Sequence, residues 1–136
     1  VMIFRAARET LAPDKSVDYF LPGGEHLDLE LYQELAALAD VDEIVDGLRG
    51  TPYHKICDTA ALRFLETASL AAFERALEDY LTRKIISLGG TDPLGIGIPI
   101  AYLWGKQNEV INLRIVVKGK AVGIPPESMR REFILV

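Results

Sequence analysis

The chain predicts an all-α fold, and three observations carry that expectation. No window alternates apolar and polar residues with the period of two that a half-buried strand requires. Helix-opening caps and helix-closing Gly or Pro residues recur along the chain at intervals that suit helices. Between Pro99 and Gly119 nothing breaks a helix outright, since Gly105 costs only about 1 kcal/mol against Ala. A helix over about 98–118 would be about 30 Å long, as long as a small domain is wide.

Each element follows from its own signals. The first helix runs from Val1 to about Thr10 and ends before Pro13, which pushes Ala12 out of helical geometry. Tyr19-Phe20-Leu21-Pro22-Gly23-Gly24 reads as an apolar anchor followed by a turn. Asp28 caps a helix through Ala39, with Leu31, Leu35 and Leu38 as its buried stripe and Tyr32, Ala36 and Ala39 beside it. Asp40 and Glu43 have capping-box spacing and open a short helix that buries Val41, Ile44, Val45 and Leu48. It stops at Gly50.

Thr51-Pro52 restarts the chain as cap and first helical residue. The helix that follows turns Ile56, Ala60, Ala61, Phe64, Leu65 and Ala68 inward. From Ser69 to Leu88 the pattern is the most amphipathic of all. Leu70, Phe73, Leu77, Tyr80, Leu81, Ile85 and Leu88 line one face, and Arg75–Asp79 and Asp79–Arg83 pair opposite charges on another. Gly89 to Pro93 ends that helix. In the long helix the polar residues form three stripes: Gln107, Arg114 and Lys118; Lys106, Glu109 and Lys120; Asn108 and Asn112. Apolar residues fill the spaces between, so this helix is expected to be packed on several sides. Pro126 opens a last short helix before Phe133-Ile134-Leu135-Val136.

A chain of 136 residues with 49% hydrophobic and 26% charged residues suits one folded domain over 1–136. Cys57 is the single cysteine, which rules out an internal disulfide. No apolar run reaches the eighteen or so residues of a membrane span; the nearest, Ile96 to Trp104, is interrupted by Gly97 and Pro99. Residues 1–68 carry six Lys/Arg against thirteen Asp/Glu, whereas residues 69–136 carry nine against seven. That polarity argues against nucleic acid as a partner, which calls for a basic footprint.

The chain begins without a start methionine, as if inside a helix, and reads as part of a longer protein. Sliding it by 125 − 13 = 112 places Ile115 over Ile3, Pro125 over Pro13 and Ser128 over Ser16. On this reading residues 1–12 are the remnant of a preceding repeat's last helix.

Chemistry-bearing constellations are not found. His26 and His54 lack partners at metal-ligand spacing, so neither a metal nor another cofactor is expected. Cys57 stands three residues after His54, a spacing that a core cysteine and a surface histidine share by accident. Gly95-Ile96-Gly97 continues with Ile100 where a dinucleotide fingerprint needs a small residue, and no strand precedes it. Asp40, Asp42, Glu43 and Asp46 are accounted for by capping and the helix dipole. Two sets of polar residues stand out instead. Glu109, Asn112 and Arg114 read as a structural polar core that ties the long helix to the acidic half, although the same stripe could face a partner. Lys118, Lys120, Arg130 and Arg131 are candidate partner-binding residues.

Pro99 to Ile115, followed by Lys118-Gly119-Lys120 and Gly123-Ile124-Pro125, resembles the C-terminal signature of the C-type subunits of V-type and archaeal-type ATP synthases, the family of the vacuolar ATPase d subunit. Arg131 to Val136, Tyr19 to Gly24 and Gly50 to Tyr53 resemble family segments at compatible places. The resemblance implies one helical repeat of a three-repeat, funnel-like protein. It also implies a non-catalytic central-stalk rotor subunit, cytoplasmic and peripheral to the membrane. Its partners would be central-shaft subunits and the membrane proteolipid ring, between which it passes torque for ion transport. A generic helical adaptor is the alternative. Without the other repeats, exposed apolar surface is expected to favour self-association.

Overall fold

The computed structural model describes residues 2–9, 17–91 and 94–136, without the side chains of residues 8 and 9. The protein is all-helical, and among the described residues no strand occurs. Among the described residues the helices are α1 (Met2–Glu9), α2 (Leu29–Ala36), α3 (Val41–Gly47), α4 (Tyr53–Thr67), α5 (Ala71–Ser87), α6 (Gly97–Ala121) and α7 (Pro126–Arg130), with a 3-10 turn over Leu88–Gly90. The chain divides into two compact units, Val1–Leu77 and Glu78–Val136, with the boundary inside α5. The expected end of the first helix at Thr10, and its Ala12-Pro13 stop, lie outside the described residues, as do Pro13 and Ser16 of the internal echo.

The first unit is built on Leu35, Ile44, Cys57 and Phe73, the largest fully buried side chains. Phe73 stacks on Phe4 with ring centroids 4.3 Å apart and planes 16° from parallel. It also meets Phe64 at 5.6 Å in a tilted arrangement. Arg5 adds a polar tie by donating to the Glu74 carboxylate, with Nε at 2.9 Å.

Local caps explain where these helices begin. Asp28 Oδ1 accepts from the Leu31 N–H at 2.8 Å and opens α2. Asp40 opens α3 by accepting from Asp42 at 2.8 Å, one residue earlier than capping-box spacing places the bond. α2 closes at Ala36 rather than Ala39, and Asp40 is extended (φ −99, ψ 133) before α3 begins. Thr51 Oγ1 accepts from the Tyr53 N–H at 3.3 Å and donates to the Leu48 carbonyl at 2.7 Å. Ala68, with φ 51, separates α4 from α5. This left-handed turn costs an alanine roughly 1–2 kcal/mol. Its N–H still reaches the Phe64 carbonyl at 2.7 Å.

The face of α4 differs from the expected one. Cys57 and Ala60 are its buried residues, while Leu65 is exposed. The stripe Cys57, Ala60, Ala61, Phe64 still has helical spacing; its small side chains let neighbouring helices approach, so burial follows closeness more than hydrophobicity.

In the second unit the 3-10 turn meets the start of α6 backbone to backbone. A Cβ on Gly97 would lie 2.7 Å from the Leu88 carbonyl oxygen, and one on Gly89 would lie 3.0 Å from Ala101 Cβ. Thr82 is buried and accepts a hydrogen bond from Trp104 Nε1 at 3.2 Å. At the far end of α6, Met129 of α7 occupies the space a side chain on Gly119 would need.

The 25-residue α6 is the expected long helix, extended by most of a turn at its end. Its packing is not the expected one. Only Ala101, Asn108 and Gly119 are buried, and most of its large apolar residues are exposed. The 3-10 turn, α7 and the segment after it cover one flank. Too little of this chain reaches the others to bury a helix that is apolar around most of its circumference.

Candidate interaction surface

The surface of α6 has two contrasting sides. On the covered side, Asn108 and Asn112 stand one turn apart and both reach Ile134 beyond α7. Asn108 Nδ2 donates to the Ile134 carbonyl at 2.8 Å, and Asn112 Nδ2 donates to the same oxygen at 2.9 Å. The Ile134 N–H is 3.4 Å from Asn112 Oδ1. Asn108 and Ile134 are buried. Two side-chain donors thus satisfy a carbonyl that has neither helix nor sheet to serve it. Beside this clasp lies an open groove of about 450 Å³, whose lining includes Ala101, Lys106, Glu109 and Leu135.

On the other side the apolar residues are bare. Leu103 is 65% exposed, Val110 48%, Leu113 64% and Val117 68%. Lys106, Arg114, Lys118 and Lys120 are exposed along the same helix, as are Arg130 and Arg131 near its far end. A second groove, of about 620 Å³, runs between α6 and α7 and is lined largely by apolar residues, among them Ile115, Val122, Ile124 and Met129.

The polar residues singled out from the sequence therefore separate. Asn112 is half-buried and reaches Ile134 near the end of the chain. Glu109 is exposed and pairs within its own helix with Lys106, Oε2 to Nζ 2.8 Å. Arg114 is exposed as well, so neither charge enters a buried polar core in this chain. The residue that does is Asn108. Its signal was the Asn108–Asn112 stripe, which places both amides on one face. The Thr82–Trp104 bond had no such signal, because a threonine amid a charged run looks solvated.

Cys57 lies in the hydrophobic core of the first unit. The thiol is fully buried, and burial pushes its pKa up to about 11, so it stays protonated and non-nucleophilic near neutral pH. Among the described residues no group of three or more His, Cys, Asp or Glu side chains could hold a metal ion. The raised value carries a stability prediction. The thiol's contribution is whole below its unfolded pKa of about 8.5 and is lost as the pH climbs through about 11. Thermal scans should show the parent's Tm falling faster than that of Cys57→Ala across that window. Parallel slopes would refute it.

A model of the ATP synthase (C/AC39) subunit family matches residues 1–132. The chain belongs to that family. It is similar to the C-type subunit of the A-type ATP synthase of Methanobrevibacter smithii, with 34% identity over 134 residues, 98% of this chain and 35% of that protein. The corresponding protein of Haloferax volcanii is 36% identical over 141 residues, covering 98% of this chain and 39% of its own length. That of Methanothermobacter thermautotrophicus is 33% identical over 133 residues, covering 98% and 34%. The chain thus spans about a third of the length of these curated relatives. No solved structure matches it significantly. Among the described residues of this C/AC39 family member, no helix is long and apolar enough to cross a membrane.

Proposed function

We propose that this chain works as part of a non-catalytic central-stalk rotor subunit of a V-type or archaeal-type ATP synthase. In this role it joins the rotating shaft to the membrane proteolipid ring and passes torque for ion transport. The rotor subunit lies on the cytoplasmic side, peripheral to the membrane, and its partners are shaft subunits and the ring. The observation that carries this reading is the family match over residues 1–132. The physical character of α6 agrees with it. An unbroken helix of 25 residues extends about 37 Å, and torque transfer needs a stiff body with broad contacts rather than a pocket. Three-repeat organisation, with residues 1–12 ending a preceding repeat, belongs to the same proposal.

The test compares ATP hydrolysis with ATP-driven ion uptake in membrane vesicles, using the assembled complex with and without the full-length protein. Without it, hydrolysis should persist while ion uptake disappears, and adding it back should restore coupling. Undiminished uptake in its absence would overturn the rotor reading. A general helical adaptor predicts that undiminished outcome.

A further inference from the structure

We propose that the bare side of α6 is a helix-docking seam, whose occupant is an amphipathic helix with an apolar heptad stripe and acidic flanks. The seam is defined by its spacing. Leu103, Val110 and Val117 are seven residues apart, and Leu113 falls between the last two at three and four residues. All four are exposed. Apolar residues at alternating intervals of three and four form the narrow stripe by which one helix packs along another. The covered residues Ala101 and Asn108 are also seven apart. Each stands two positions before a seam residue, Leu103 or Val110, and two positions carry a side chain about 200° around the helix. The helix therefore has one face held by its own unit and an opposite face left open.

Charge then chooses the occupant. The positions seven residues either side of Leu113 are Lys106 and Lys120, so lysine stands in the seam at both ends of its apolar middle. Arg114 follows Leu113 at its edge. Lys106 pairs with Glu109 of its own helix, but among the described residues Arg114 and Lys120 form no ion pair. A second copy of this chain is a poor fit. Parallel pairing would set Lys106 on Lys106 and Lys120 on Lys120. Antiparallel pairing would set Lys106 against Val117 and Lys120 against Leu103, leaving each ammonium beside a hydrocarbon without a carboxylate. A helix offering Glu or Asp at the facing positions covers the stripe and pairs the charges together. This deepens the rotor reading by specifying the chemistry of one partner.

The test uses two synthetic three-heptad peptides with the same leucine seam, one with Glu flanks and one with Lys flanks, titrated by fluorescence anisotropy against the full-length protein. The Glu peptide should bind at least about tenfold more tightly than the Lys peptide. Val117→Asp should abolish binding with the helix content unchanged by circular dichroism. Lys106→Glu with Lys120→Glu should reverse the preference, a gain that a misfolded variant could not produce. Equal binding of both peptides, no reversal, or self-association that survives the double reversal would overturn the seam. So would binding of the wild-type protein to phosphatidylserine vesicles that displaces the Glu peptide without needing Val117. The ion-uptake assay reads the rotor role separately: coupling that still depends on the full-length protein, together with no peptide preference, would remove the seam alone.

Discussion

Phe73→Ala should cost the first unit about 3–5 kcal/mol, a large part of the roughly 5–15 kcal/mol that holds a domain together. Phe73 is 1% exposed and stacks on Phe4 while touching Phe64, so its removal opens a cavity among α1, α4 and α5. Aromatic pairing adds about 0.5–1.5 kcal/mol per pair beyond the buried area. The amides of α1 should lose hydrogen-exchange protection first, because that short helix depends on Phe4 and on the Arg5–Glu74 pair. Leu81→Ala is the control. Leu81 belongs to the same amphipathic stripe by sequence, yet it is exposed, and its loss should stay within about 0.5 kcal/mol. Urea denaturation of the two variants compares them directly, and equal midpoints would contradict the packing described.

Replacing both Asn108 and Asn112 by alanine should free the segment after α7. Each amide donates to the buried Ile134 carbonyl. Leaving that oxygen without a partner costs roughly 1–3 kcal/mol, before any cavity at the buried Asn108 is counted. Opening should become about fivefold to a hundredfold more frequent, since about 1.4 kcal/mol is one decade. Arg130 and Arg131 adjoin this segment and are exposed, which makes trypsin a direct reporter. Cleavage there should accelerate by that factor while α6 keeps its helicity. Asn112→Ala alone should do less, because Asn108 still serves the carbonyl from its buried site. Unchanged cleavage in the double variant would mean that the apolar side chain of Ile134, rather than the asparagine pair, anchors the segment.

Much of the architecture was legible from local chemistry. Asp28, Asp40 and Thr51 start helices because a side-chain oxygen satisfies an amide within two or three residues. Pro126 begins α7 because its missing N–H costs nothing at a first helical position. Such interactions span only a few residues, so residue order suffices to find them. The core of the first unit was partly legible for the same reason: Leu35, Ile44, Val45, Leu48 and Phe73 stand at helical spacing and are buried.

The candidate surface was less legible. Periodicity measures how apolar residues are distributed around α6, which is apolar on most sides of its circumference. It cannot say which side this chain covers. Glu109 was drawn toward a buried network by its neighbours in sequence, but Lys106 reaches it first along the helix surface, where an exposed pair needs no desolvation. Asn108 took the buried role because Ile134, twenty-six residues away, arrives on its face.

Residue order by itself determined that the chain is helical, where most helices open, and that one of them is long and apolar around its circumference. Those outcomes depend on propensity, caps and spacing, all set within a turn or two. Tertiary structure decided which flank of α6 is occupied, that Asn108 rather than Glu109 is enclosed, and that Leu103, Val110, Leu113 and Val117 are left open. These depend on contacts between distant segments, and burial is a property of what arrives beside a residue.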